Sequence, residues 1–243
     1  MSKRIKYFLF HLTVSLFITL ITFSLVFLLW YPAPLAKAVG VTHIFLMMLA
    51  IDGIIGPMLG LLVYKEDKKT LKFDLSVIIM IQIAALYYGV YSIAQGRPTW
   101  LVYSVDHFEL IRKNDIVLQS NVRVKAEYQN YSLNGPKFVG VKLSKNIKQK
   151  QDDMFNAVFG ITVAQQPDRY LSFNQVKLDI QENAQDLTIL SQFNNYQDVE
   201  NILINYPDAN SWVPLKANAV DMVVLVNKET STIIKIVDLR PWN

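Results

Sequence analysis

Three apolar runs, each long enough to cross a bilayer, crowd the first 95 residues and leave few folds open. They extend roughly from Phe8 to Tyr31, from Thr42 to Tyr64 and from Leu75 to Ala94, and a hydrocarbon core of ~30 Å takes about 20 helical residues. Trp30, Tyr31, Tyr64, Tyr87, Tyr88 and Tyr91 lie at or near their ends, where amphipathic rings anchor at the membrane–water interface. The chain is 52% hydrophobic, but that content is concentrated in these runs. The expected architecture is an α-helical membrane domain of three transmembrane helices over 1–95, followed by an α+β domain with an antiparallel sheet over 96–243.

The first run starts with basic residues, as a signal peptide does. Its apolar core exceeds the usual ~7–15 residues and no small-x-small cleavage site follows, so it is expected to stay as a span. Through Ile93 there are eight Lys/Arg against four Asp/Glu, and the remainder holds sixteen of each sign. Lys3, Arg4 and Lys6 precede the first run, and Lys65, Lys68, Lys69 and Lys72 fill the loop after the second. The positive-inside rule puts both stretches in the cytoplasm. The segment after about Gly96 then lies outside, in the periplasm if the membrane is a bacterial inner membrane. A basic excess placed this way orients a membrane protein and argues against nucleic-acid binding, which needs a basic patch on a folded domain. The absence of cysteine excludes disulfides and cysteine–metal sites but assigns no compartment.

Asp52 sits near the middle of the second run, THIFLMMLAIDGIIGPMLGLLVY. An ionised carboxylate there costs roughly 2.5–3.5 kcal/mol on insertion scales. Asp52, Gly56 and Gly60 recur at helical spacing along one face, with Gly53 beside them, and Gly56–Gly60 is a GxxxG that lets two helix backbones approach closely. Pro57 removes the donor for the Gly53 carbonyl and is expected to kink the span. Gln82, at comparable depth in the third run, is an expected hydrogen-bond partner for a protonated Asp52. Three readings follow: internal packing against Gln82 or the hydroxyls of Ser15, Thr19 and Thr22; a surface for a partner's transmembrane helix; and a proton or ion pathway. The last is the weakest, because no second buried charge offers a relay.

In the outer segment, Thr99–Lys113 reads as one strand or two with a break at Asp106, and Lys137–Ser144 as another strand. Gln149–Val163 and Tyr196–Asn205 read as helices. Asp221–Asn227 and Thr232–Asp238 flank KETS as a hairpin. Asn130–Pro136 and Asn205–Asn210 read as loops.

Catalytic signatures are missing. His11, His43 and His107 have no metal-binding spacing, and there is no GxSxG, P-loop or GxGxxG. Asp152 and Asp153 diverge by about 100° on a helix and read as a solvated face. Lys142, Lys145, Lys148 and Lys150 form a modest basic cluster that suits solvent, an acidic partner or anionic lipid. The group around His107, Asp106 and Glu109 has no evident substrate pocket.

Three stretches, DGIIGPMLGLLVYK, GRPTWLVYSVDHFELI and a terminal DLRPW, stand in that order behind three apolar runs. Together they resemble the type IV pilin accessory proteins of the TfpX/TfpZ family, which includes proteins called FimB, over nearly the whole chain. The resemblance implies an inner-membrane helper of a cognate major pilin, needed for normal surface piliation, with no enzymatic activity, no cofactor and no catalytic residues to carry over. The family's Asp-Arg-Phe-Glu form reads Asp106-His107-Phe108-Glu109 here, and a histidine weakens any ion pair an arginine would make.

The expected function is thus a non-enzymatic accessory factor that contacts the pilin's transmembrane stem, with the pilin head as a further contact, amid inner-membrane lipid. Asp52, Gly53, Gly56, Pro57, Gly60 and Gln82 are the candidate stem-binding residues. Arg97, Pro98, Asp106, His107, Phe108 and Glu109 form the candidate periplasmic motif. The alternatives are a pilin-modifying membrane glycosyl- or acyl-transferase, and a structural subunit of the pilus assembly platform.

Overall fold

The structure, a computed structural model, describes residues 1–118, 122–144 and 146–242. It divides into two compact units, one of Met1–Ala36 with Gly40–Gly96 and one of Lys37–Val39 with the chain from Arg97 onward.

The first unit is helical. α1 (Lys3–Ser24) runs into a π-helical turn (Leu25–Trp30); the short α2 (Leu35–Val39) that follows has its last three residues in the second unit. The second span is built from α3 (Val41–Ala50), a π-helical turn (Ile51–Ile55) and α4 (Gly56–Val63), and the third is α5 (Leu71–Gln95). Lys3–Trp30, Val41–Val63 and Leu71–Gln95 are each long and apolar enough to cross a membrane. Phe17, Leu62, Phe73 and Met80 are exposed, as lipid-facing side chains are. The widened turn at Ile51–Ile55 accommodates Pro57: the Gly56 amide bonds back to the Ile51 carbonyl, which re-routes the ladder around the missing proline donor.

The second unit carries β1 (Pro98–Ser104), β2 (His107–Arg112), α6 (Ala126–Gln129), β3 (Lys137–Val141), α7 (Ile147–Val158) and β4 (Tyr170–Ser172). α8 (Lys177–Asn183), β5 (Gln185–Asp186), α9 (Tyr196–Leu203), β6 (Ser211–Lys216), β7 (Met222–Asn227) and β8 (Thr232–Val237) follow. The strands form one sheet in the order β4-β3-β1-β2-β6-β7-β8, with β5 also paired to β6. The expected sheet was antiparallel; this one is mixed, because β1–β3 and β2–β6 are parallel. Alternation of apolar residues marks a strand but not its direction, and the long connections before β3 and β6 permit parallel return.

Thr99–Lys113 resolves into two strands that turn at Val105–Asp106, with Val105 in the left-handed region at φ 63°. The terminal hairpin pairs Asn227 with Thr232. β6 escaped the sequence reading because Pro214 interrupts it. Pro214 sits between the residues paired to β5 (Ser211, Trp212) and those paired to β2 (Leu215, Lys216), where that edge needs no donor.

Two apolar clusters make the core. One gathers Trp100, Val102, Ile111, Val139 and Tyr170, and the other Trp212, Leu190, Val199, Val223 and Leu225. β7 is buried on both faces from Met222 to Val226, which explains its unbroken apolar run. The DLRPW end closes on the second cluster. Leu239 is buried within it, Arg240 N donates to Asn194 Oδ1 (2.7 Å), and Trp242 Nε1 donates to Asp221 Oδ2 (2.8 Å).

Candidate functional site

The membrane unit contains a cleft of about 260 Å³ lined from all three spans. α1 presents Tyr7, His11, Ser15 and Thr19 to it, four residues apart and therefore on one helix face. Asp52 enters from the π-helical turn, and Ile79, Gln82, Ile83 and Leu86 from α5. Apart from these polar groups the lining is aliphatic or aromatic.

The glycines of the second span are consumed by internal packing. A Cβ added at Gly56 would lie 1.7 Å from Gln82 Nε2, and one at Gly60 3.0 Å from Tyr7 Cε1 and 3.2 Å from His11 Nδ1. At Gly53 the nearest atom is Thr19 Oγ1 at 3.5 Å, an ordinary contact. Gly56 therefore admits α5, Gly60 admits α1, and Pro57 is buried beside them. This is the close approach that GxxxG spacing permits, made here between the protein's own helices.

Asp52 and Gln82 lie together, but differently from the expected pairing. Gln82 Nε2 donates to the main-chain carbonyl of Asp52 (3.4 Å), not to its carboxylate. Both carboxylate oxygens of Asp52, Oε1 of Gln82, Nδ1 of His11 and the Tyr7 hydroxyl are buried with no hydrogen-bond partner among the described residues. Thr22 is occupied otherwise, donating to the Ile18 carbonyl of its own helix at 2.9 Å. Leaving a buried polar group unpaired costs roughly 1–3 kcal/mol, so such a concentration is expensive. Three of these atoms, two on Asp52 and one on Gln82, are carbonyl-type oxygens that suit an incoming donor. Tyr7 and His11 were missed as site members; the signal was the four-residue spacing Tyr7, His11, Ser15, Thr19 along α1.

In the second unit, the Arg97–Glu109 motif organises the β1–β2 hairpin. Pro98 opens β1 opposite Arg112, and the Arg97 carbonyl accepts from Lys113 N (2.9 Å). Phe108 is fully buried, its ring 5.3 Å from Tyr103 and 5.4 Å from Phe138. Exposed Asp106 meets His107 Nδ1 at 2.8 Å, and Glu109 accepts from Thr162 Oγ1 at 3.0 Å. Tyr103 donates to the Asp179 carbonyl (3.1 Å) and accepts from Asn183 (3.3 Å), and burial pushes its phenol up to about 12. Asp153, expected on a solvated face, is instead bound by Arg169 Nη1 (2.7 Å) and Ser144 Oγ (2.6 Å). Among the described residues no group of histidine and carboxylate side chains is arranged to hold a metal.

A membrane unit of three spans with a largely apolar cleft, joined to a mixed-sheet domain, defines the class. The profile of the family described as fimbrial assembly protein FimB matches residues 1–40. The chain is 34% identical over 110 residues to the fimbrial assembly protein of serogroups C1 and C2 of Dichelobacter nodosus, covering 44% of this chain and 84% of that protein. It is 27% identical over 228 residues to the serogroup I protein and 28% identical over 228 residues to the serogroup E1 protein of that organism. Each of those alignments covers 90% of this chain and 88% of the relative. No protein of solved structure matches. The chain belongs to the FimB family of fimbrial assembly proteins.

Proposed function

We propose that this protein is a non-enzymatic accessory factor of type IV pilus biogenesis that holds its cognate major pilin in the bacterial inner membrane before assembly. The N-terminus is then cytoplasmic and the mixed-sheet domain periplasmic, as the basic residues around the first and third spans suggest. The observation that carries the reading is the unpaired acceptor set of Asp52 and Gln82 in an apolar cleft between the spans. An apolar pilin stem bearing a hydrogen-bond donor would satisfy it, for an interhelical bond of roughly 0.6–2 kcal/mol. That is weak enough for the pilin to leave for the fibre, while binding still stabilises the unassembled pool by mass action. The relatives' description as fimbrial assembly proteins agrees with such a client.

The test is co-purification of pilin with the wild-type protein, with Asp52→Asn and with the cleft-filling Ser15→Phe, alongside the intact mass of the pilin. Expected are loss of pilin from both variants at unchanged protein level, and an unaltered pilin mass. A pilin mass that changes with the protein present would overturn the reading in favour of a modifying enzyme. Equal capture of non-cognate pilins would favour a subunit of the assembly platform.

A further inference from the structure

No residue of α7 is buried. Ile147, Met154, Phe155 and Val158, with Phe159 just beyond the helix, are between 65% and 82% exposed. At ~100° per residue they fall on one stripe, and the Phe155 and Phe159 rings pack edge to face at 5.0 Å within it. Lys148 and Lys150 flank the apolar residues of the helix itself, Lys148 next to Phe155 and Lys150 next to Met154, with Gln151 within the stripe and Asp152 beyond Lys148. Lys145 lies outside the described residues. The opposite side of the helix is fastened to the domain: Asp153 takes Arg169 Nη1 at 2.7 Å and Ser144 Oγ at 2.6 Å, and Arg169 Nη2 also donates to Ser144 Oγ at 2.6 Å. On other helices of the unit, Leu178 is 72% exposed and Ile204 just after α9 71%.

We propose that α7 is an interfacial helix. Its apolar stripe lies among the outermost acyl carbons of the bilayer that anchors the chain, and Lys148 and Lys150 reach the phosphates of anionic lipid. Lysine at both borders of an apolar stripe is the pattern of a helix lying in a membrane surface, where the long stems extend to the headgroups. The core of a protein–protein interface is instead depleted of lysine. Proximity supplies the rest: α5 ends at Gln95 and β1 begins at Pro98, so the domain is tethered directly to its lipid and a weak contact suffices. A helix of this kind buries about 5–10 Å into the headgroup–acyl boundary.

The chain has no cysteine, so single reporters can be placed in the full-length protein. Phe155→Cys and, separately, Val158→Cys carry an environment-sensitive fluorophore in vesicles of phosphatidylcholine and phosphatidylglycerol. Leu178→Cys on α8 serves as the reference. Expected at both α7 positions is roughly twofold or greater quenching by a spin label on the lipid acyl chain, with little at Leu178. Lys148→Glu with Lys150→Glu should remove most of it. Quenching no greater than at Leu178 would overturn the proposal. So would a label shielded from water but untouched by the lipid quencher, which would assign the stripe to a protein partner or a second copy.

Discussion

Asp52 and Asp153 are both helix-associated carboxylates, and the two units treat them in opposite ways. In the outer unit Asp153 has an arginine and a hydroxyl at bonding distance, and the side chains of the ion pair are 18% and 17% exposed. In the membrane unit Asp52 has neither, although its carboxylate is buried and solvation by lipid is unavailable. An acid that is fully bonded within the protein holds the fold together. One left unbonded carries a cost that the proposed pilin contact would offset.

Phe108→Ala should have the largest effect, about 3–5 kcal/mol off the outer unit through an unfilled cavity beside Tyr103 and Phe138, read by chemical unfolding followed in the near-ultraviolet. A loss under about 1 kcal/mol would mean that the hairpin motif is not a packing device.

Gly56→Leu comes next, because its side chain must displace the Gln82 amide. We expect about 1–3 kcal/mol of destabilisation, measured as a lower thermal midpoint in detergent. Gly53→Ala, whose methyl meets Thr19 Oγ1 at an ordinary 3.5 Å, should change little.

For Asp153, burial alone would raise the carboxyl. The hydrogen bonds from Arg169 and Ser144, and the Arg169 charge, outweigh it and hold the group below its usual value. Its contribution is therefore complete above the ordinary aspartate value of about 3.9 and is lost as pH falls through the lower folded value. Asp153→Asn should cost about 1–3 kcal/mol at neutral pH and flatten the acid limb of a stability–pH curve. An unchanged acid limb would contradict the clamp.

The smallest effect is expected at Asp52. Asp52→Asn should shift stability by no more than about 0.5 kcal/mol, since no bond within the protein is lost, while pilin capture falls. If it destabilised as much as Asp153→Asn, the contrast between the two acids would disappear.

Much of this was legible locally. Span number and charge bias depend on runs of neighbouring residues, and the predicted spans differ from the helices chiefly at their ends. The β7–β8 hairpin was readable from two β-branched runs and a short connection. β6 was not, because Pro214 reads as a breaker unless one knows which strand borders it. The candidate site was half legible: Asp52, the glycines and Gln82 stood out as rare types in apolar runs. Tyr7 and His11 near the basic end of α1 did not, because polar residues there look like an ordinary helix terminus.

Local runs of residues are enough to establish three membrane-spanning helices with an acid and a glycine face in the second, and a separate domain of strands and helices. These follow from composition and periodicity, which act over a few turns of chain. That Gly56 and Gly60 are spent on the protein's own α5 and α1, that Gln82 bonds the backbone of Asp52, and that the sheet is mixed emerge only in the folded molecule. Those outcomes depend on which distant segments meet and in which direction. The glycine contacts bring the helices close along one face, and none of the donors among the described residues reaches the Asp52 carboxylate.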